Sequence, residues 1–275
     1  MLANNALLVT LSVSVWTARK QDKQATREVA INHGVAAGVG TYNKSVLPGA
    51  AELDHIKKCT GAARTFFYKN TLPWSTQGAA VLPNKNYLWF TQEMRALKQE
   101  WEQAVQAFLQ VYPTLKANAK AQLNGLYNEA DYPADPAKLF KFEINFLPVP
   151  QEGDFRIELA KEEMEAFKAN VLNSEREANA DLWKRLYEVA HHAAERLRDP
   201  DAVFRDTLVE NAVELCNMLP RLNFNDDPDL EAMRVAVEKA LCDKAPEALR
   251  QLPSVRKATV NDLDAILEKM SGYIG

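Results

Sequence analysis

Two long stretches of the chain have apolar residues at every third or fourth position, a spacing that predicts amphipathic helices. The first stretch begins near Asn86, and its apolar positions are Phe90, Met94, Leu97, Trp101, Val105, Phe108 and Tyr112. Pro113 predicts a kink or a restart of this helix, because proline is tolerated in a first turn but not in a helix interior. The second stretch has its apolar positions at Met164, Phe167, Val171, Ala178, Leu182, Leu186, Val189, Ala193 and Leu197. Together they predict a long antiparallel helical hairpin.

The segment between these stretches, KFEINFLPVPQEGDFRIEL at 141–159, alternates apolar and polar residues instead. A period of two predicts a strand, a turn and a second strand. A two-stranded hairpin is only marginally stable alone in water, so it needs a neighbour. The N-terminal segment ALLVTLSVSVW at 6–16 has the same period and also predicts a strand. The β element therefore either forms a tip on the helical hairpin or joins 6–16 in a three-stranded sheet.

The rest of the chain predicts shorter elements. Helices are expected over 18–34 and 50–70. A loop with room for one short extended piece is expected over 34–49, and another loop over 71–84. Proline-punctuated short helices are expected at 200–219, 227–242, 244–251 and 259–271. The predicted fold class is thus mainly α, with a long helical hairpin, a small β element and a C-terminal set of short helices. The regions 1–85, 86–198 and 199–275 form either separate domains or one continuous domain.

Composition narrows the functional classes. A chain of 275 residues can bury a substantial core, and a net charge of −4 argues against a general polyanion binder. The three cysteines are widely spaced and include no C-x-x-C, so we do not expect a disulfide framework. This cysteine usage favours a reducing compartment, so we expect a cytoplasmic location. The apolar segment at 6–16 is too short to cross a membrane, and basic residues follow it rather than precede it. We therefore expect neither a signal peptide nor a membrane partner.

The sequence contains no motif that identifies an active site. His55 and Cys59 lie four residues apart on a predicted helix, but two ligands do not make a structural zinc site. A helical surface pair is the expected outcome, with no metal and no cofactor. His191 and His192 point in different directions on a helix, and the carboxylates cluster on solvated helix faces. No catalytic residue is predicted, and a non-enzymatic protein is favoured.

The odd β segment, as we call residues 141–159 because they interrupt the helical pattern, contains the predicted site for a protein partner. Asp154, Phe155 and Arg156 follow its turn, and Phe146 ends its first strand. The Asp–Arg pair closes the turn in one interpretation. In the other, an exposed aromatic residue between two charges forms a docking tip, because aromatic and arginine residues dominate interface hot spots.

A second candidate surface would bind nucleic acid. The segment ARTFFYKNTLPW at 63–74 interleaves cations and aromatic rings, which attract phosphates and stack on bases. Its candidate residues, with two lysines that extend the positive surface, are Arg64, Phe67, Tyr68, Lys69, Trp74, Lys116 and Lys120. Consecutive aromatic residues on a helix cannot all face one side, so at least one belongs to the core. The negative net charge makes this the weaker hypothesis.

Two segments resemble a phage and bacterial protein family of unknown function. The family has an N-terminal strand that ends in tryptophan, and it has a basic stretch. Trp16 matches the first feature, and Arg19, Lys20 and Lys23 match the second. An F-x-F strand, a proline-rich link and a D-F-R segment are matched by Phe142, Pro148, Pro150, Asp154, Phe155 and Arg156. Members of this family tend to occur near MoxR-type AAA+ ATPases and von Willebrand A-type proteins. The resemblance implies an adaptor or scaffold for such an ATPase, encoded by a phage or mobile element and acting in the host cytoplasm. It supplies no catalytic residue.

The long apolar stripes leave the oligomeric state open. Such stripes pair within one chain or between chains, so homo-oligomerisation is a further expectation.

Overall fold

A computed structural model describes residues 2–36, 38–74, 78–151, 161–199 and 202–274. The chain forms two compact units, and each is assembled from separate pieces of sequence. Unit 1 comprises Met1–Thr10, Tyr68–Thr91 and Asn145–Gly275, and unit 2 comprises Leu11–Phe67 and Gln92–Ile144.

Helices dominate the structure, as the sequence predicted. Their bounds are α1 Leu2–Asn5, α2 Lys23–Asn32, α3 Ala51–Lys69, α4 Tyr87–Leu123, α5 Lys161–Arg198, α6 Thr207–Leu222, α7 Pro228–Val237, α8 Pro246–Gln251 and α9 Pro253–Met270. A π-helical turn, Glu238–Cys242, follows α7. The predicted fold class is confirmed, with two long helices, a small antiparallel sheet and short C-terminal helices. None of the helices in the described ranges combines the length and the apolar character that a membrane span requires.

Among the described residues, the strands form a four-stranded sheet and a two-stranded one. Their bounds are β1 Ala6–Ser14, β2 Arg19–Gln21, β3 Asn43–Ser45, β4 Leu72–Pro73, β5 Ala79–Pro83 and β6 Lys141–Pro148. The larger sheet has the order β4-β5-β1-β6, and its β1–β5 pair is antiparallel with Ala6 opposite Pro83. Because β6 lies beside β1, the first half of the odd β segment belongs to this sheet and is not a separate tip. The predicted second strand, 155–159, lies outside the described residues.

Three local predictions need correction. The segment 71–84 is not all loop, because it contains β4 and β5. Four of the five residues of β5 are buried, so the strand shows no alternation that a sequence pattern could detect. The predicted helix 18–34 is shortened to α2, and β2 precedes it. The helix does not restart at Pro113, which lies inside α4, and the buried residues Tyr112 and Ala119 keep the helix packed on both sides of it.

Unit 1 has a helical core around α5. This helix packs mainly on α9 and α6. The indole of Trp183 is almost fully buried and stacks flat on the ring of Tyr273, with centroids 4.0 Å apart and planes 6° from parallel. The side chains of α5 that build this core are Ala178, Leu182, Trp183, Leu186, Ala190, Ala193, Ala194 and Leu197. They include most of the C-terminal half of the predicted second stripe.

Unit 2 brings α3 against the part of α4 that begins at Gln92. Trp101 of α4 is buried, and its Nε1 donates a hydrogen bond to Oγ1 of Thr60 on α3 over 2.9 Å. The ring of Phe142 in β6 meets Trp101 edge-on at 5.5 Å. Lys44 of β3 is also buried and forms ion pairs with Asp22 at 3.1 Å and Asp131 at 2.9 Å. The part of α4 from Gln92 onward therefore has its packing partners in unit 2, whereas α5 has its own in unit 1.

Candidate functional site

Phe146 lies in unit 1 near the end of β6, where its ring meets Tyr87 edge-on with centroids 5.5 Å apart. About a third of Phe146 remains exposed, at 37%. The three other residues of the predicted partner site, Asp154, Phe155 and Arg156, lie outside the described residues, so their role stays a prediction. Tyr87 was not among the predicted site residues, because only the folded chain places the start of α4 beside β6.

The start of α4 is held in place by two asparagines that follow β5. Nδ2 of Asn86 is buried and donates to the carbonyl oxygen of Asn70 over 3.0 Å. Nδ2 of Asn84 donates to the carbonyl oxygen of Asn4 over 3.0 Å. Both bonds join distant parts of the chain, so the first turn of α4 has a defined position in unit 1.

Large apolar side chains that adjoin this contact in the sequence are exposed. Leu88 follows Tyr87 and is 80% exposed, and Leu147 follows Phe146 and is 52% exposed. Trp89 is packed under the guanidinium of Arg221, which lies 4.4 Å from its ring centroid. We call the set Tyr87, Leu88, Trp89, Phe146 and Leu147 the Tyr87 surface. Aromatic residues beside an arginine are typical of protein-binding hot spots.

The residues of the predicted nucleic-acid surface are divided between the two units. In unit 2, Phe67 is buried and cannot serve as a stacking platform for a base. Arg64 is only partly available for phosphate, because its Nη2 donates to the carbonyl oxygen of Val13 over 2.9 Å.

Lys116 and Lys120, the two lysines that extend the predicted nucleic-acid surface, lie in unit 2 and have acidic or aromatic neighbours. Lys116 forms an ion pair with Glu129, and a hydrogen bond from Lys116 lowers the pKa of this carboxyl. The Nζ of Lys120 lies 5.8 Å from the ring centroid of Tyr127. A hydrogen bond with Glu129 raises the pKa of Tyr127 to about 12. Part of the positive charge expected from the sequence is therefore compensated within the protein.

In unit 1, the remaining candidates for nucleic-acid binding also have structural partners. Lys69 forms an ion pair with Glu214 at 2.9 Å. Trp74 is partly buried and packs against the core of this unit. Tyr68 is 68% exposed, so its ring is the most accessible of the predicted aromatic residues.

An open cleft of about 630 Å³ in unit 2 contains a different set of cations. We call it the basic cleft, and its lining residues are Val13, Ser14, Val15, Trp16, Thr17, Arg19, Lys57, Thr60, Gly61 and Arg64. A Cβ at Gly61 would meet no atom within 4 Å, so the cleft is open on this side. Lys57 shares its charge with Asp54 at 2.9 Å. Of the lining cations, only Arg64 belongs to the predicted nucleic-acid surface.

His55 and Cys59 are joined by a third side chain that can bind a metal. Nε2 of His55 lies 3.9 Å from Sγ of Cys59, and Oε1 of Glu100 lies 4.0 Å from the same sulfur. Burial and then the charge of Glu100 raise the pKa of the Cys59 thiol. We call these three residues the His55 cluster. Sequence reasoning found the pair on α3 but not Glu100, because 41 positions separate Glu100 from Cys59.

No protein-family model, curated protein or solved structure matches this chain. The resemblance to a phage and bacterial family therefore stays a prediction. The functional proposals rest on the side chains described above.

Proposed function

We propose that this chain is a non-enzymatic interaction protein that binds a protein partner through the Tyr87 surface. The observation that supports the proposal is the exposure of Leu88 and Leu147, which directly follow in sequence the two residues of the Tyr87–Phe146 ring contact. Large apolar side chains scattered singly over a surface are ordinary, whereas exposed ones on segments that also present aromatic rings favour an interface.

The energetics of burial agree with this use of the surface. Complete burial of a leucine side chain is worth about 1.5–3 kcal/mol, and a few such anchors dominate the affinity of most interfaces. The hydrogen bonds of Asn84 and Asn86 fix the start of α4 before a partner arrives. Little ordering would then be required on binding, which lowers the entropic cost of association.

The proposed partner presents an apolar segment to the two leucines and a carboxylate to Arg221. A guanidinium that already lies over an aromatic ring can also donate hydrogen bonds to a carboxylate at the rim of an interface. The family resemblance supports an AAA+ ATPase as the partner, with this chain as its adaptor or scaffold. A phage or mobile-element origin belongs to the same proposal.

The test compares two variants of the tagged chain in its native host. Leu88→Ser/Leu147→Ser removes both exposed leucines but leaves the Tyr87–Phe146 contact intact. Val203→Ser is the matched control, since Val203 is 93% exposed in unit 1 and lies outside the Tyr87 surface. Each variant is purified from nuclease-treated and untreated lysate, and its partners are identified by mass spectrometry. The recovered partner is then purified, and its affinity for each variant is measured directly.

We expect a nuclease-resistant partner that binds wild type and Val203→Ser equally. Its affinity for the double variant should fall at least about tenfold, because two apolar anchors are lost. Identification of that partner as an AAA+ ATPase would support the adaptor role. Equal binding by the double variant, or a partner that disappears on nuclease treatment, would contradict the proposal.

The basic cleft favours a second candidate function, the binding of nucleic acid by unit 2. The cations Arg19 and Lys57 line the same cleft as Trp16, and cations together with an aromatic residue suit the binding of phosphates and bases. In this second candidate function the basic cleft binds nucleic acid in place of the predicted surface around 63–74, because Phe67 of that surface is buried.

This alternative is tested by fluorescence anisotropy with single- and double-stranded DNA at increasing salt. Binding through phosphates should weaken steeply with salt. Arg19→Gln/Lys57→Gln should reduce the slope of log affinity against log salt by about one for each lost contact. Lys138→Gln is the control, because the side chain of Lys138 in unit 2 is 82% exposed and lies outside the cleft. An affinity that does not depend on salt, or no binding at all, would exclude this function.

A further inference from the structure

The His55 cluster has the composition and spacing of a transition-metal site. We propose that His55, Cys59 and Glu100 bind one zinc ion through an imidazole nitrogen, a thiolate and a carboxylate. This site is independent of the proposed partner surface, which lies in unit 1.

The distances within the cluster suit zinc after small side-chain rotations. Zinc–ligand bonds of about 2.0–2.3 Å with tetrahedral angles place the ligand atoms roughly 3.3–3.8 Å apart. The sulfur of Cys59 lies 3.9 Å from the His55 nitrogen and 4.0 Å from the Glu100 oxygen. All three ligand atoms lie within 4.8 Å of one another. Rotation about the side-chain bonds of the exposed His55 and Glu100 can close the remaining gap.

The backbone positions of the ligands are fixed by the helices themselves. His55 and Cys59 are one turn apart on α3 and therefore share a face. Cys59 precedes Thr60 and Glu100 precedes Trp101, and these two following residues form the 2.9 Å hydrogen bond between α3 and α4. The bond sets the register of the two helices next to the cluster. Three candidate ligands thus face one another without any rearrangement of the main chain.

The identities of the ligands select the class of metal. A thiolate and an imidazole favour zinc and similar transition metals over magnesium or calcium, which prefer oxygen ligands. Cys59 is buried while His55 and Glu100 are exposed, so an ion can enter from solvent and reach the sulfur. Three protein ligands leave the fourth tetrahedral position for water or for a donor atom of another molecule.

The site is tested with the purified full chain. Zinc affinity is measured by competition with a chromophoric chelator, and Co²⁺ is used as a spectroscopic probe of coordination. The ligand variants are Cys59→Ser, His55→Gln and Glu100→Gln. Two matched controls are Glu102→Gln, which removes a neighbouring exposed carboxylate of α4, and Cys242→Ser, which removes a thiol of unit 1. Circular dichroism confirms that each variant is folded.

We expect one equivalent of zinc per chain and a thiolate-to-cobalt charge-transfer band. Cys59→Ser should abolish this band, and each ligand variant should lower zinc affinity at least about tenfold. Both controls should bind as wild type does. Since His55 and Glu100 are exposed, their variants test the site even if Cys59→Ser does not fold. The absence of stoichiometric zinc, or equal affinity in the ligand variants and the controls, would overturn the proposal.

Discussion

Trp101 and Thr60 form a buried hydrogen bond of 2.9 Å between the two main helices of unit 2. The Thr60 hydroxyl is also bonded to its own helix, because it donates to the carbonyl oxygen of Ile56 over 2.9 Å. It therefore accepts from the indole and donates to the backbone at the same time. This arrangement joins α4 to α3 in one register, next to the residues of the His55 cluster.

The first prediction concerns the strength of this bond. Thr60→Val removes the acceptor with little change of shape, whereas Trp101→Phe removes the donor together with part of the buried indole. The double variant completes a thermodynamic cycle, in which the cost of the smaller ring cancels. Urea unfolding of the four proteins should give a coupling energy of about 1 kcal/mol, typical of a neutral buried hydrogen bond. Additive effects of the two substitutions would show that the bond does not contribute to stability.

The second prediction concerns Lys44, which is buried between Asp22 and Asp131. Lys44→Met leaves two carboxylates without their cation, so the free energy of unfolding should fall by roughly 3 kcal/mol. Lys98→Met is the control, because its ion pair with Glu102 is exposed at 3.7 Å. That change should cost less than about 1 kcal/mol. Urea unfolding measures both effects. Equal losses of unfolding free energy would contradict a larger contribution from the buried ion pairs of Lys44 than from the exposed ion pair of Lys98.

The same ion pairs predict how stability depends on pH. A hydrogen bond from the backbone N–H of Ala25 and another from the Lys44 ammonium lower the pKa of Asp22. A carboxyl with a lowered pKa stabilises the fold above its unfolded value, and this contribution is lost as pH falls through the folded pKa. Burial alone would lower the pKa of Lys44, but hydrogen bonds with Asp131 and Asp22 outweigh burial and raise it. Its contribution is lost as pH rises through that raised pKa.

The stability difference between wild type and Lys44→Met should therefore be largest between about pH 5 and pH 10. It should begin to shrink below about pH 4 and vanish as pH falls through the lowered pKa of folded Asp22. It should likewise begin to shrink above about pH 10.5 and vanish as pH rises through the raised pKa of folded Lys44. Urea unfolding across this range provides the measurement. A difference that stays constant from acid to alkaline pH would show that these ion pairs are not its source.

The third prediction concerns Arg185 of α5, whose guanidinium donates to three backbone carbonyls near the end of α3. The acceptors are the oxygens of Lys69 at 2.7 Å, Thr71 at 2.8 Å and Tyr68 at 3.2 Å. Arg185→Met should destabilise the protein by roughly 2 kcal/mol, since bonds from a charged donor are lost. Arg185→Lys should recover only part of the loss, because an ammonium cannot reproduce the planar fork of donors.

Arg176→Met is the control for this prediction, because Arg176 is exposed on the same helix. Its effect on thermal unfolding should stay within about 0.5 kcal/mol. Full recovery of stability by Arg185→Lys would mean that charge, rather than the geometry of the guanidinium, stabilises this end of α3.

The fourth prediction concerns the three cysteines. The sulfurs of Cys216 and Cys242 are 3.9 Å apart, and this contact lowers the pKa of Cys242 while raising that of Cys216. Cys242 is also the only one of the three that is not buried. Because the thiolate is the reactive form, iodoacetamide should alkylate Cys242 first in the folded protein. Peptide mass spectrometry over time gives the order, and faster modification of Cys59 or Cys216 would contradict it.

Periodicity by itself determined most of the secondary structure. The apolar spacing of the two long stretches encodes α4 and α5, and the alternation at 6–16 and 141–148 encodes β1 and the first strand of the odd segment. These patterns are local, because a half-buried helix or strand must repeat its apolar residues with its own period. The strand β5 escaped detection because it is buried on both faces and so has no such alternation.

Only the tertiary structure decided which surfaces meet. The sequence could place Phe67 and Tyr68 in one aromatic run, but the packing of α3 buried the first and exposed the second. It could pair His55 with Cys59, since they are one turn apart, but not with Glu100 on another helix. The contact of Tyr87 with Phe146 could not be predicted for the same reason, because the two residues are far apart in the sequence. A local pattern shows which face of an element is covered, whereas the identity of the covering element depends on how distant parts of the chain pack together.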